Sequence, residues 1–303
     1  MRDRFSDESE RGGRLPRPGF YGWWMVGLCS VMFGLSAPGQ TAGVSVFIDP
    51  MIESLGLSRS EISTAYLIGT ITSAMMMPRV GRAIDQFGSR ASVIVVGVVF
   101  GAVLAATAGV RGFISLTIAF WAIRMLGQGS LGLLSTNAIA PWFTRRRGLA
   151  IGITSAVGGS LMSLVPIASA ALIRSIGWRP SWLVLAGVIW LLLIPIGVRG
   201  IIDKPSDLGQ VPDGVPATDE EDADQQDQAP LSFTLREALR TPVFWVVGGA
   251  MACSGGLSTA LNFHQIALLG EQGLSPIEAA ANFGSPVVSV GHRAACWWGR
   301  SGR

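Results

Sequence analysis

Apolar residues in this chain come in long, nearly uncharged runs. They show neither the spaced stripe of a surface helix nor the alternation of a half-buried strand. Seven runs stand out, at residues 22–46, 62–80, 91–110, 112–140, 148–173, 181–201 and 242–268. Each is close to or beyond the roughly 18–20 residues that cross a bilayer core as a helix. The pattern predicts an all-α, polytopic membrane protein. Residues 1–20 read as a cytoplasmic tail and 21–201 as a six-helix transmembrane bundle. Residues 202–241 read as a linker, 242–283 as the start of a second bundle, and 284–303 as an aberrant tail. That tail ends Cys296-Trp297-Trp298-Gly299-Arg300 and lacks membrane length, so the chain reads as cut short after its seventh helix.

Composition agrees with this class. Charged residues are 14% of the chain, against about 25% in an ordinary soluble domain. The net charge of +3 conceals a segregation: residues 21–200 carry twelve Arg and four acids, and 201–241 three bases and ten acids. Within the latter, Asp219-Glu220-Glu221-Asp222 cannot bury apolar area and reads as a solvated tether. Residues 234–240 read as a short amphipathic helix, and Pro242 as the opening of helix 7. With the N-terminus inside, fifteen Lys and Arg fall in cytoplasmic segments and four (Arg59, Arg111, Arg174 and Arg179) outside. The bias predicts a multi-pass protein of the cell membrane with a cytoplasmic N-terminus. No apolar segment precedes Gly19, so the first run reads as a retained helix and not a cleaved leader.

Charge also selects candidates for chemistry. Arg124 lies about twelve residues into the fourth run, near mid-bilayer at roughly 1.5 Å per residue. A guanidinium there costs about 3 kcal/mol or more unless it meets a cavity or a partner. No acid stands inside the first six runs to neutralise it. A planar cation of this kind suits the bidentate recognition of a carboxylate; the plain alternative is a structural Arg bonded to helix carbonyls. Gln128 in the same helix, Gln40 and Thr41 in helix 1, and Asn262 and His264 in helix 7 are further polar candidates for a pathway.

Other chemistries lack their residues. The histidines are His264 and His292, neither at metal-ligand spacing with Cys or acids, and no nucleophile–base constellation appears. No phosphate-binding loop is present, and no basic face is interleaved with exposed aromatics. Neither an enzyme, a cofactor, a bound metal nor a nucleic-acid partner is expected. Cys29, Cys253 and Cys296 form no disulfide framework.

Between the second and third runs, Gly81, Asp85, Gly88 and Arg90 follow the spacing G-x-x-x-D-x-x-G-x-R. In a tight loop, Asp85 is placed to face a helix N-terminus and Arg90 to pair with it. The spacing resembles the loop between helices 2 and 3 of the major facilitator superfamily, with Gln86 where that family usually has a basic residue. Arg124, Gln128 and Gly129 are similar to the family's R-x-x-x-Q-G pattern in helix 4. Three further pieces resemble the monocarboxylate-transporter and oxalate/formate-antiporter-like branch: Tyr21-Gly22-Trp23-Trp24, the stretch from Trp142 to Ala150, and Gly177-Trp178-Arg179-Pro180. Their Trp pairs also suit a membrane interface.

The resemblance implies two inverted three-helix repeats in the first bundle and a site between two bundles. It implies secondary transport of a small organic anion, a monocarboxylate foremost, by alternating access with protons or a counter-anion. It implies that Gly81, Asp85, Gly88 and Arg90 latch the two halves in one state. The rival expectation is a non-transporting or receptor-like membrane protein on a transporter-derived fold.

Overall fold

The computed structural model describes residues 19–214, 237, 239–271 and 277. The described residues are helices joined by short turns, with no strand. The acidic run at 219–227, most of the amphipathic stretch at 234–240 and the tail at 284–303 lie outside them.

The first crossing is broken. α1 (Gly22–Leu35) gives way to a 3₁₀ turn at Ala37–Gly39, and α2 (Thr41–Leu55) carries on. Pro38 removes a backbone donor and Gly39 has no side chain to hold the helix, so the break falls where helix propensity is lowest. The helix therefore runs nine residues beyond the predicted end at 46, and Asp49 and Glu53 belong to it. This corrects the expectation that no acid stands inside the first six crossings. Asp49 is spoken for, as the ion-pair partner of Arg59.

α3 (Arg59–Thr107) begins with a capping box, in which Ser58 and Glu61 exchange side-chain and backbone hydrogen bonds. It holds both the second and third predicted crossings. The charged stretch between them is not a loop: residues 81–87 stay helical, and the chain breaks at Gly88 alone (φ 82°, ψ 165°). A side chain at this φ is strained, and a Cβ would sit 3.1 Å from an Asp203 carboxylate oxygen.

α4 (Phe113–Ile123) is continued by a π-helical stretch, Arg124–Leu131, and by α5 (Gly132–Asn137). α6 (Arg147–Ile176) and α7 (Trp178–Pro195) complete the bundle, with a second π-helical turn at Ile196–Gly200. α8 (Pro242–Glu271) follows. Five helical segments are long and apolar enough to cross a membrane on length and composition. α3 supplies two crossings through its break, and the α4–π–α5 run supplies another, so the seven predicted runs each find a helix.

Packing follows the small residues. α1 lies along α6, where Gly34 and Gly158 admit the facing Leu161 and Phe33. α3 packs on α4 and α7, and α8 on α2. Phe47 and Trp182, both fully buried, stack at 4.1 Å between ring centroids. At one end of the bundle Arg179 donates to the carbonyls of Ala108 and Val110 (2.6 and 3.0 Å), closing the C-terminus of α3. The Arg-rich end gathers Tyr21, Trp142 and Phe143 into one aromatic cluster. Trp142 is fully buried and bonds the Ile202 carbonyl, so it is a core residue and not an interfacial one.

Candidate functional site

Two irregular backbones meet inside the bundle, and Arg124 sits where they touch. The 3₁₀ turn at Ala37–Gly39 lies against the π-helical stretch. A Cβ on Gly39 would lie 2.6 Å from the Gly127 Cα, and one on Gly127 2.7 Å from the Gly39 Cα. Only glycine on both sides permits this approach. A π-bulge widens the helix by one residue and recurs at functional sites; here Arg124 opens it. Arg124 is 4% exposed. Its Nη1 donates long bonds to the Gly39 carbonyl (3.4 Å) and the Thr41 hydroxyl (3.3 Å), and its guanidinium carbon lies 5.0 Å from the Tyr66 ring centroid. Nε is buried without a partner. Among the described residues no carboxylate joins the group, and the ion pair found between two of them is that of Arg59 with Asp49.

Tyr66 completes the cluster from α3. Its hydroxyl donates to Thr41 (2.9 Å), and its ring meets Phe120 edge-on (5.4 Å) and Phe263 of α8 (4.9 Å). Of the residues predicted from sequence, the structure brings together Arg124 and Thr41. Gln40 donates to Ser36, Gln128 is exposed, Asn262 bonds Ser258 within its own helix, and the His264 ring touches Phe263. None of these four hydrogen-bonds Arg124. The sequence reading missed Tyr66, Phe263 and the Gly39–Gly127 contact. Pro38-Gly39 in an apolar run was a readable break signal; the π-bulge left none.

The second predicted cluster lies at the Arg-rich end. Gly81 is helical and Asp85 exposed. The pairing of Asp85 with Arg90 does not form: Arg90 donates from its guanidinium to the Val198 carbonyl (2.6 Å) and from its amide to Asp203 (3.0 Å). The helical course of 81–87 leaves Asp85 before the Gly88 break and Arg90 beyond it, on the next limb. Asp85 instead lines a cavity of about 790 Å³ with Asn137, Asp203 and Lys204.

Residues 201–214 run across this end as a strap. Gln210 accepts the Tyr21 amide (3.0 Å). Asp213 accepts the amides of Thr144, Arg145 and Arg146 and the Thr144 hydroxyl, at the N-terminus of α6. Partial burial pushes the Asp213 carboxyl up, but the Thr144 hydroxyl and these three amides outweigh it and hold it below the usual carboxylate range.

An all-helical, multi-pass membrane protein, with a buried arginine that meets no carboxylate among the described residues at the junction of two broken helices, is the class these observations define. The chain matches the family model "Major Facilitator Superfamily" over residues 21–300, and it belongs to that family. It is 26% identical over 230 residues to the oxalate:formate antiporter of Oxalobacter formigenes, covering 74% of this chain and 50% of that protein. It is 32% identical over 187 residues to monocarboxylate transporter 2 of Mesocricetus auratus, covering 57% and 36%. The fold is similar to the inward-facing, unoccupied structure of a bacterial homolog to the human lysosomal transporter Spinster. There the TM-score is 0.65 at 18% identity, covering 89% of this chain and 60% of that one. The chain spans about half the length, or less, of the curated relatives it matches.

Proposed function

We propose that this chain forms the anion-binding half of a secondary transporter for a small organic anion, a monocarboxylate foremost. The observation that carries the reading is Arg124: 4% exposed, without a carboxylate partner among the described residues, and with a buried Nε that bonds none of them. A charge kept in the bilayer at such a cost is best explained by a ligand that supplies the missing acceptors. Two carboxylate oxygens match the fork of Nε and an Nη, and the Thr41 hydroxyl stands beside it. Names of the relatives support the same class, because oxalate, formate and monocarboxylates are carboxylate anions.

In this reading the anion moves by alternating access, with protons or a counter-anion as the coupled species. Gly81, Asp85, Gly88 and Arg90 act as the latch, Asp85 reaching for the second bundle from the cavity it lines. Gln40, Gln128, Asn262 and His264 flank the pathway without holding the anion in this state. The N-terminus faces the cytoplasm of a cell membrane.

Binding of formate and benzoate to the chain in lipid nanodiscs tests the proposal. Arg124→Lys keeps the charge and loses the planar fork, so affinity should fall about tenfold. Arg124→Gln should lose more while still inserting. Carboxylate binding of unchanged strength in both variants would overturn the reading and leave Arg124 as a structural tie to the Gly39 carbonyl.

A further inference from the structure

Tyr66 is not one of the polar pathway candidates, yet it touches every part of the Arg124 cluster. Its ring covers one face of the guanidinium at 5.0 Å, and its hydroxyl occupies the Thr41 oxygen that also accepts from Arg124. At 4% exposure it closes the site from solvent. Phe120 backs the ring on one side, and Phe263 presses on it from α8 at 4.9 Å. Along α8, residues 242–258 are exposed; Phe263 and Ile266 are the residues whose described side chains are buried. α8 packs on α2, and Phe263 is the side chain by which it also reaches Tyr66 of α3. A shift of α8 that withdraws Phe263 leaves Tyr66 held by its hydroxyl bond, the Phe120 ring and the cation–π contact.

We propose that Tyr66 is the cover of the Arg124 site, held shut by Phe263, and that its ring sets which carboxylates reach the guanidinium. The size filter rests on the reading of Arg124 as an anion site; the cover itself does not. With Tyr66 closed, the guanidinium face is filled by an aromatic ring. With Tyr66 displaced, the vacated space lies between the cation and Phe120, which fits a carboxylate with a flat or short apolar tail. Tyr66 is on this account a positioning and selecting residue, and α8 is the element that operates it.

The test needs a readout that does not depend on ligand binding. Phenylglyoxal modification of Arg124 is followed by peptide mass spectrometry on the chain in lipid nanodiscs. Arg179, bonded to carbonyls at one end of the bundle, serves as the internal control of folding. Tyr66→Ala should speed modification of Arg124 about fivefold or more, the loss of one cation–π contact, while Arg179 is unchanged. Phe263→Ala, which removes no contact of Arg124, should speed it as well. Tyr66→Phe keeps the ring and should stay closer to the parent rate. If Tyr66→Ala also exposes Arg179, its fold is lost and Phe263→Ala decides. Arg124 rates unchanged in the folded variants would overturn the cover. In the same samples, Tyr66→Ala should raise the benzoate-to-formate affinity ratio, and an unchanged ratio would overturn the filter. An anion affinity insensitive to Arg124→Gln would defeat the transport-site reading while the labelling rates still judge the cover.

Discussion

Arg124 and Asp213 are both charges set against helix backbone, and the protein treats them in opposite ways. Asp213, on the strap at the Arg-rich end, accepts three backbone amides and a hydroxyl. It lies at the electropositive start of α6, where an anion is favoured. Arg124 lies in the interior, where an unmet charge is most expensive, and has two long hydrogen bonds, a ring face and an idle Nε. The satisfied charge is at the surface and the unsatisfied one is buried, the reverse of what stability alone would select. The strap charge is explained by the fold it stabilises. The buried charge has no such account in the contacts described around it, and that is the ground of the proposed anion site.

The largest effect should come from removing that charge. Arg124→Met keeps much of the volume and takes away a cation that costs about 3 kcal/mol at mid-membrane. Because replacing a buried ionic group by an apolar one of similar size is often stabilising, the variant should gain about 1–3 kcal/mol. It should bind no carboxylate. Reversible unfolding in mixed micelles measures the first and the nanodisc assay the second. A destabilised Arg124→Met would dissolve the contrast, since Arg124 would then be holding the Gly39 turn together as Asp213 holds α6.

Next in size is the backbone contact that makes room for the guanidinium. Gly39→Ala places a methyl 2.6 Å from the Gly127 Cα, with backbone on both sides and no flexible side chain to yield. Overpacking of this kind costs about 1–3 kcal/mol. Separation of the turn from the π-bulge should also loosen the Arg124–Gly39 bond, so carboxylate affinity changes along with stability. Gly27→Ala, on the open face of α1 where a Cβ meets nothing, is the control.

How far the chain could be read in advance follows the same division. The seven crossings were legible because hydropathy over about twenty residues outweighs local detail. Arg124 was legible because one charge in such a run is conspicuous. What the sequence hid were departures from regular geometry. The stretch at 81–90 reads as a loop by its charges, but residues 81–87 stay helical and one glycine makes the turn. The π-bulge has no composition of its own, so the meeting of Gly39 with Gly127 was invisible. Tyr66 is one aromatic in an apolar helix by sequence, and only its neighbours show that its ring lies beside a cation. The strap at 201–214 was hidden by the acidic run beyond it, which biases the whole segment toward a solvated tether. Two of the motifs behind the branch resemblance, at Tyr21–Trp24 and at Trp142–Phe143, prove to be one cluster in space.

The smallest effect, and the one that tests the satisfied side of the contrast, concerns Asp213. Its native pKa lies below the usual carboxylate range, whereas in the unfolded chain it returns to about 3.9. The unfolded state therefore binds the proton more readily. The stability that Asp213 contributes is present above about pH 4 and is lost as pH falls through the lower native value. Asp213→Ala removes the acceptor altogether and should cost about 1 kcal/mol at neutral pH, in the range of a lost helix cap. Asp213→Asn keeps an acceptor oxygen without the charge and should cost less. The mark of the mechanism is the difference between pH values: the gap in melting temperature between parent and Asp213→Asn should be full above about pH 4 and shrink as pH falls below it. A gap that stays constant across this range would mean that Asp213 acts through packing of the strap, leaving its charge as idle as that of Arg124 is costly.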